Sequence, residues 1–326
     1  MTRGVVVGKF YPPHLGHLHL IEAALAEVGH LDVIVCSKAD QWIPGEFRAA
    51  WLRELAPAAT VIHAEDLGRG EDSAFWARYT RNIIGGSPDV VFTSEPYGDA
   101  YAKALGCRHV EVDLGRKGHP VSGTAIRQSP TAYWDYLPAS VRAWFVRRVV
   151  VAGAESTGTT TLAQALATHY KTECVPEYGR AYSEVKFGDG DVEWLSGEFV
   201  TIARMQLALE DKAARSSSPL LICDTDALAT SIWHERYVGG RNEDIERVAS
   251  SRRYAAYILT SNDIAFVQDG YRDGEHLRDW MTRRFREELS KRSEPWIEVR
   301  GSGEERLAAA VAHIDGLPSN WRRPTD

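Results

Sequence analysis

Short apolar runs alternate along this chain with segments whose apolar residues recur every three or four positions. The runs Val5 to Val7 and Leu31 to Ser37 are typical of strands buried on both faces, and the periodic segments are typical of helices. A second series of the same kind begins at Val149. Strands alternating with helices indicate parallel sheets, and 326 residues suffice for two domains. We therefore predict an α/β fold with two doubly wound parallel-sheet domains, residues 1–147 and 148–326.

The first predicted strand leads into GKFYPPHLGH, which ends at His17. A helix is predicted to follow, so His14 and His17 would flank its N-terminus, where backbone N–H groups favour anions. Lys9 adds positive charge and Gly16 allows close approach of a ligand. This combination predicts a polyphosphate site. Two alternatives are a surface histidine pair and half of a metal site completed by His19.

A second segment, VSGTAIR, opens another predicted helix later in the same half. Ser122 and Thr124 are residue types that cap helix N-termini. Arg127 lies three residues after Thr124, on the same helix face, where it could bind phosphate through two hydrogen bonds. The alternative is an ordinary helix start without a ligand.

The second half opens with a strand followed by GAESTGTTT, which has the spacing of a phosphate-binding P-loop. Thr160 occupies the position of the hydroxyl that binds Mg²⁺, but Thr159 stands where such loops carry lysine. The nucleotide-binding prediction covers Gly153, Glu155, Ser156, Thr157, Gly158, Thr159, Thr160 and Thr161.

Further candidates follow predicted strands or precede a basic helix in this half. An acid after an apolar strand is typical of Mg²⁺ binding in P-loop proteins, and arginines beside a helix could close over phosphates. The alternatives are a surface glutamate and a solvated basic helix face. The candidates are Glu177, Tyr178 and Arg180 after a strand placed over 172–182, Asp224 and Asp226 after a strand placed over 218–227, and Arg272 and Arg278 near the helix.

Composition narrows the class of protein. A net charge of −7 and a pI near 5.9 predict no general attraction to nucleic acid or to an anionic membrane. Four widely spaced cysteines and the lack of a signal peptide favour a cytoplasmic protein. Ten tryptophans are candidates for stacking on bases or for self-association as a homo-oligomer.

Taken together, GKFYPPHLGH and VSGTAIR resemble the HxGH nucleotidyltransferase superfamily. With VIVCS, VVFTSEP and YWDYLP, the first half is similar to NadR-type nicotinamide mononucleotide adenylyltransferases. The resemblance implies a Rossmann-like domain that transfers adenylyl from ATP to nicotinamide mononucleotide, giving NAD. It carries roles onto Lys9, His14, His17, Ser122, Thr124 and Arg127, with Lys9, His14, His17 and Arg127 catalytic. We predict that Gly8, Phe10 and Gly16 bind ATP together with Ser122 and Thr124, and that Ser94 and Glu95, just past a predicted strand, bind substrate. Trp76 is the candidate for stacking on the pyridine ring, with Trp42 and Trp51 as alternatives.

The second half resembles the ribosylnicotinamide kinase half of NadR-type proteins, through its P-loop, EYGR segment, DTD pair and arginine-bearing lid. The resemblance implies ATP- and Mg²⁺-dependent phosphorylation of nicotinamide riboside, with Glu177 as base and Asp224 binding Mg²⁺. Tyr178, Arg180 and Asp226 would bind substrate.

Thr159 leaves a second hypothesis open, in which the P-loop half binds nucleotide without turnover. A third is a regulatory nucleic-acid-binding protein. The charge, and the expectation that no helix-turn-helix fits before Val5, count against it.

Overall fold

The chain forms two compact units in this computed structural model, which describes residues 1–70, 72–187, 193–267 and 274–318. The units divide between Arg142 and Ala143. The boundary predicted from the sequence falls at Arg147, where the first strand of the second unit begins, and stays a prediction. None of the helices within the described ranges has both the length and the apolar character needed to cross a membrane.

The first unit is built on a five-stranded parallel sheet with the order β3-β2-β1-β4-β5. The strand order reverses between β1 and β4, and in open parallel sheets ligands bind beyond the carboxyl ends of strands at such a point. The strands are β1 (Arg3–Gly8), β2 (His30–Ser37), β3 (Thr60–Glu65), β4 (Val90–Thr93) and β5 (Arg108–Glu111).

Helices cover both faces of this sheet because alternate residues of the strands point to opposite sides. Val6 of β1 packs with Leu20 and Ile21 on one face, whereas Val5 packs with Ala77 on the other. The helices are α1 (Leu15–Glu27), α2 (Gly45–Leu55), α3 (Ser73–Ile84), α4 (Gly98–Leu105), α5 (Gly123–Gln128), a 3₁₀ helix (Pro130–Tyr136) and α6 (Ala139–Phe145).

The second unit also has a five-stranded parallel sheet, in the order β10-β9-β6-β8-β7. The prediction of a long strand over 172–182 is wrong: the strand is only two residues long. Pro176 lacks the N–H needed to extend the ladder, and a helix begins at Tyr178. The strands are β6 (Arg147–Gly153), β7 (Cys174–Val175), β8 (Leu220–Asp224), β9 (Ala256–Thr260) and β10 (Trp296–Val299).

A buried cluster on one face of the second sheet joins β6 to two helices. Val149 and Val151 pack with Leu166 of the helix after the P-loop and with Ile314 near the end of the last helix. The two-sheet α/β prediction is therefore confirmed. The helices are α7 (Thr159–Tyr170), α8 (Tyr178–Phe187), α9 (Ser196–Ala213), α10 (Ala227–Tyr237), α11 (Glu243–Ser250), a 3₁₀ helix (Glu275–Leu277), α12 (Arg278–Ser290) and α13 (Gly303–Asp315).

Candidate active sites

A cleft of about 910 Å³ opens beyond the carboxyl ends of the strands in the first unit, a size usual for small-molecule sites. Every residue that the sequence predicted for this half lines it, although these residues come from four separate segments. They are Gly8, Lys9, Phe10, His14, Gly16, His17, Trp76, Ser94, Glu95, Ser122, Thr124 and Arg127.

The two histidines of the front loop stack on each other, with ring centroids 3.7 Å apart. Burial, together with the charges of Arg116 and His119, lowers the pKa of His14 to about 4. Burial and His14 hold the pKa of His17 well below its usual range. The Nδ1 atoms of both rings lack a hydrogen-bond partner among the described residues. Burial therefore favours the neutral form of both imidazoles.

The backbone around the histidines is shaped for close approach. Helix α1 starts at Leu15 without a side-chain cap from His14, so its first N–H groups are open to an anion. A Cβ at Gly16 would lie 3.2 Å from the His14 ring, tighter than ordinary contact. Phe10 has φ +45°, a left-handed conformation that costs about 1–3 kcal/mol, and its buried ring meets the His17 ring edge-on at 4.9 Å.

The front loop and the VSGTAIR segment meet at the backbone of Tyr11. Arg127 donates a hydrogen bond to the Tyr11 carbonyl and lies 4.2 Å above its ring. A Cβ at Gly123 would come within 2.4 Å of the same carbonyl oxygen, so only glycine permits this contact. Ser122 caps α5 by accepting from the N–H of Ala125 at 3.2 Å, as its residue type predicts.

The role predicted for Arg127, binding phosphate through two hydrogen bonds, differs from its observed contacts. One terminal nitrogen is bonded to Tyr11 and the other donates to the Thr124 hydroxyl at 3.2 Å. The guanidinium therefore joins the two motifs to each other, and it lines the cleft with both terminal nitrogens bonded within the protein.

Two arginines, one beneath this cleft and one in its lining, were missed from the sequence. Arg48 is fully buried on α2, where it donates to the Lys9 carbonyl at 2.7 Å and to Gln41 at 2.6 Å, which supports the front loop from below. Arg116 follows β5, lines the cleft and pairs with Glu95 at 3.0 Å. Arg48 occupies a polar position of a helical pattern and carries no signal of burial. Arg116 lies in the irregular stretch GRKGHP, where no periodic pattern predicts the position of a side chain.

The far end of the cleft is lined by aromatic and neutral polar groups. The indole N–H of Trp76 donates to the Gly70 carbonyl at 2.9 Å, which fixes the ring beside the loop before α3. Tyr97 and Tyr101 line the cleft from α4 and the turn before it. Such a surface suits a flat heteroaromatic ring.

In the second unit, the segment after β6 has the shape of a P-loop. A Cβ at Gly153 would lie 2.2 Å from the Thr260 hydroxyl, and Gly158 has φ +80°. The Thr157 hydroxyl donates to the Ala154 carbonyl at 2.7 Å and is hydrogen-bonded to the Thr260 hydroxyl. This side chain therefore stabilises the loop from within and is not directed at the pocket, which differs from its predicted role in nucleotide binding. The loop thus keeps the backbone cradle that binds phosphates in P-loops.

Thr160 and Asp224 form the part of this site that fits a divalent cation. The Thr160 hydroxyl is hydrogen-bonded to the Asp224 carboxylate, and both line the pocket. Burial raises the pKa of Asp224 to about 6, although the Thr160 bond and the charge of Arg180 act to lower it. The negative charge of this carboxylate is buried with little positive charge nearby to balance it. The site therefore suits an Mg²⁺ ion held by Asp224, the Thr160 hydroxyl, phosphates and water.

The prediction that Asp226 binds substrate is wrong, because both its oxygens are used inside the protein. One accepts from the N–H of Ala229 and caps α10, and the other accepts from the Tyr257 hydroxyl at 2.8 Å. It is 1% exposed and does not belong to the described lining of the pocket. Between the two aspartates, Thr225 has φ +76°, a strained conformation for a β-branched residue.

Glu177 and Arg180 line the same pocket from the start of α8. Tyr178, predicted beside them, is not in the described lining, and its backbone N–H donates to Gln206 at 2.9 Å. An aromatic wall was missed from the sequence, because its rings come from segments that are distant along the chain. The rings are those of Phe187, Trp194, Phe199, Trp233 and Tyr237.

The remaining predicted residues lie around the loop. Thr161 is exposed on α7, and Gly158 is not part of the described lining. Arg278 does not form an open lid: it is buried, and it donates to the carbonyls of Ile264 at 2.9 Å and Ser156 at 3.3 Å. Arg272 lies outside the described residues.

Comparison with known proteins identifies the class that these two units define. Residues 5–129 match the family model described as cytidylyltransferase-like, and residues 148–306 match the one described as AAA domain. The chain thus combines a nucleotidyltransferase fold with a P-loop nucleotide-binding fold.

Over most of its length the chain is 30% identical to the trifunctional NAD biosynthesis/regulator protein NadR of Escherichia coli K12. That alignment spans 298 residues, which are 83% of this chain and 72% of the relative. The protein of the same description from Salmonella typhimurium LT2 is 31% identical over 294 residues, 82% of this chain and 71% of the relative. The chain therefore belongs to the NadR family.

Solved structures support the same fold. A NadR protein crystallised in complex with NR superposes with a TM-score of 0.80 at 20% identity, over 99% of this chain and 98% of that one. A NadR protein in complex with NAD and AMP-PNP gives a TM-score of 0.74 at 20% identity, over 100% and 98% of the two chains.

Proposed function

We propose that this chain is a two-site enzyme of NAD salvage. The first unit transfers adenylyl from ATP to nicotinamide mononucleotide, and the second phosphorylates nicotinamide riboside to that mononucleotide. The observation that supports this most is the first cleft, where the stacked His14 and His17 meet the Ser122–Arg127 segment through the carbonyl of Tyr11. The names of the curated relatives and of the ligands in related structures agree with it.

In the first site the chemistry requires orientation and charge stabilisation more than a covalent intermediate. A phosphate oxygen of nicotinamide mononucleotide attacks the α-phosphorus of ATP, the bond to the bridging oxygen breaks, and pyrophosphate leaves. Neutral His14 and His17 donate hydrogen bonds to oxygens on which charge accumulates, and the α1 N-terminus, Lys9 and Arg127 supply positive potential. Each such donor contributes about 3–4 kcal/mol by analogy with oxyanion holes.

In the second site the P-loop backbone holds the phosphates of ATP. Glu177 accepts the proton of the ribosyl 5′-hydroxyl, whose oxygen bonds to the γ-phosphorus as ADP leaves. The pyridinium of nicotinamide riboside is a cation, and rings such as Trp233 and Tyr237, whose centroids are 6.1 Å apart, attract cations through their faces. Mg²⁺ held by Thr160 and Asp224 would neutralise charge on the β- and γ-phosphates when bound.

A product-resolved assay tests the proposal. Purified protein is incubated with ATP, Mg²⁺ and either nicotinamide mononucleotide or nicotinamide riboside, and the products are separated. We expect NAD from the mononucleotide, and both the mononucleotide and NAD from the riboside. His17→Ala should abolish NAD formation and leave riboside phosphorylation intact. No NAD from either substrate would show the proposal to be wrong.

A second candidate function keeps the adenylyltransferase but makes the P-loop unit a nucleotide-binding module without turnover. The observation in its favour is Thr159, which contributes no charge at the position of the usual P-loop lysine. NAD from the mononucleotide, with no mononucleotide from the riboside, would support this candidate.

A further inference from the structure

The P-loop of the second unit carries a glutamate, Glu155, whose carboxylate is bonded to two other segments. One oxygen lies 2.8 Å from a terminal nitrogen of Arg236 on α10, and the other accepts from the backbone N–H of Gly274 at 2.8 Å. The side chains of Glu155 and Arg236 are 10% and 2% exposed. A Cβ at Gly274 would lie 2.5 Å from an atom of each, so the pair is closely enclosed. The geometry of the loop is therefore tied to the position of Arg236.

Arg236 also contacts the aromatic wall of the same pocket. Its guanidinium carbon lies 4.5 Å from the ring centroid of Tyr237 and 5.1 Å from that of Trp233. At these distances a cation is attracted to the face of an aromatic ring. Glu155, Trp233 and Tyr237 all belong to the pocket lining. One buried side chain thus joins the loop that would bind phosphates to rings that would bind the nucleoside.

The charge of the pair matters for the ligand as well as its geometry. The pyridinium of nicotinamide riboside is a cation, and a guanidinium without a counter-charge beside Trp233 and Tyr237 would repel it. The carboxylate of Glu155 offsets the charge of Arg236 at 2.8 Å. The P-loop therefore supplies the negative charge that makes this wall suitable for a cationic ring.

The neighbouring residue on α10 provides a matched comparison. Glu235 pairs with Arg284 of α12 at 2.9 Å, and the two side chains are 12% and 16% exposed. Neither belongs to the described lining of the pocket. This second ion pair has similar geometry and burial, but it joins α10 to another helix and not to the P-loop.

We propose that Arg236 is a positioning residue of the second site, through which the P-loop and the aromatic wall bind their ligands cooperatively. Phosphates bound by the loop backbone hold Glu155 in place, Glu155 holds Arg236, and Arg236 holds the rings of Trp233 and Tyr237. Because coupling between two binding sites is reciprocal, a nucleoside on the wall strengthens nucleotide binding by the same factor. This inference rests on the proposed function of the second unit as a riboside kinase.

The cooperativity of binding tests the inference without any turnover. The dissociation constant of nicotinamide riboside is measured on the full chain with and without saturating AMP-PNP and Mg²⁺, with NAD present throughout to occupy the first site. We expect the nucleotide to tighten riboside binding by about fivefold or more in the wild type. Arg236→Met should reduce this effect to less than about twofold, whereas Glu235→Gln should keep the wild-type factor.

Two results would overturn the inference alone. They are a wild type that binds riboside equally well with and without the nucleotide, and an Arg236→Met variant with the wild-type factor. A wild type that does not bind riboside at all would refute the proposed function, and the inference with it.

A double variant separates positioning from a merely structural role. Arg236→Met leaves the Glu155 carboxylate buried without its partner, which lowers stability, and Arg236→Met with Glu155→Gln removes both charges. The double variant should therefore recover most of the melting temperature lost in Arg236→Met but none of the cooperativity. Cooperativity that returned together with the melting temperature would show that the ion pair only stabilises the fold, and would contradict the positioning role.

Discussion

Replacing Asp226 by alanine should destabilise the second unit and leave the chemistry of its pocket unchanged. This carboxylate caps α10 through the N–H of Ala229 and accepts the Tyr257 hydroxyl at 2.8 Å. Its neighbour two positions earlier, Asp224, faces the pocket and the Thr160 hydroxyl. The two aspartates of the DTD segment therefore have separate roles, one structural and one in metal binding.

The expected loss of folding stability in Asp226→Ala follows from the two hydrogen bonds that the substitution removes. Removal of an N-cap acceptor costs about 0.5–2 kcal/mol, and a buried hydroxyl left without a partner costs about 1–3 kcal/mol. Burial raises the pKa of Asp226, so its removal also relieves part of the cost of holding the acid there. We expect a net loss of about 2–3 kcal/mol, which lowers the melting temperature of a unit of this size by about 5–10 °C.

Differential scanning calorimetry of the full chain measures this, with Asp226→Asn and Asp224→Ala as matched variants. Asparagine also caps helices through its one oxygen, and its amide nitrogen can donate to the Tyr257 hydroxyl, so Asp226→Asn should lose less than half as much stability as Asp226→Ala. Asp224→Ala should keep the melting temperature without Mg²⁺ and lose the stabilisation by Mg²⁺ and nucleotide. An unchanged melting temperature in Asp226→Ala, with a raised KM for riboside, would refute the reasoning and return Asp226 to substrate binding.

Three further predictions concern the first unit. His14 is neutral in the folded protein above about pH 4 but titrates near pH 6.5 when unfolded, so the unfolded chain binds more protons between these values. Stability should therefore fall by about 3 kcal/mol as pH drops from 6.5 to 4, and urea unfolding of His14→Gln should show a flatter pH dependence. Gly123→Ala places a Cβ 2.4 Å from a carbonyl oxygen and should lower adenylyl transfer by about 10²-fold, whereas Gly303→Ala, with open space around it, should not. Arg116→Met should raise the His14 pKa seen by NMR and weaken ATP binding, and the neighbouring Lys117→Met should change the pKa less.

The residues that the sequence located correctly lie in short motifs whose geometry is local. A strand, a tight turn and a helix N-terminus determine the positions of His14 and His17. The spacing within GKFYPPHLGH is therefore sufficient to predict that both histidines lie at the start of α1. Parallel strands then place Ser94 and Ser122 at the same edge of the sheet. Nine of the twelve predicted residues of the first cleft lie in the two motifs, Ser94 and Glu95 follow a strand, and Trp76 lies outside any motif. The relative arrangement of the two motifs at Tyr11 was not predicted.

The site residues that the sequence did not predict share a different cause: tertiary packing determines their positions. Arg48 reaches the Lys9 carbonyl from another helix, and the aromatic wall of the second pocket joins Trp194 of one segment to Tyr237 of another. Asp226 is a partial exception: an aspartate directly before a helical stretch is a common N-cap, and that pattern favoured the role that the structure gives it. The resemblance to the kinase family assigned Asp226 to substrate binding instead.

The measurement that tests the central claim most directly follows the α-phosphorus of ATP. Full-length protein is incubated with ATP labelled at that atom, Mg²⁺ and nicotinamide mononucleotide, with His17→Ala as the comparison, and labelled products are resolved together with pyrophosphate. The account predicts that the label enters NAD, with one pyrophosphate released for each NAD formed, and that His17→Ala abolishes both. Label that stays in ATP or appears only in ADP, or equal label in NAD from His17→Ala, would contradict it.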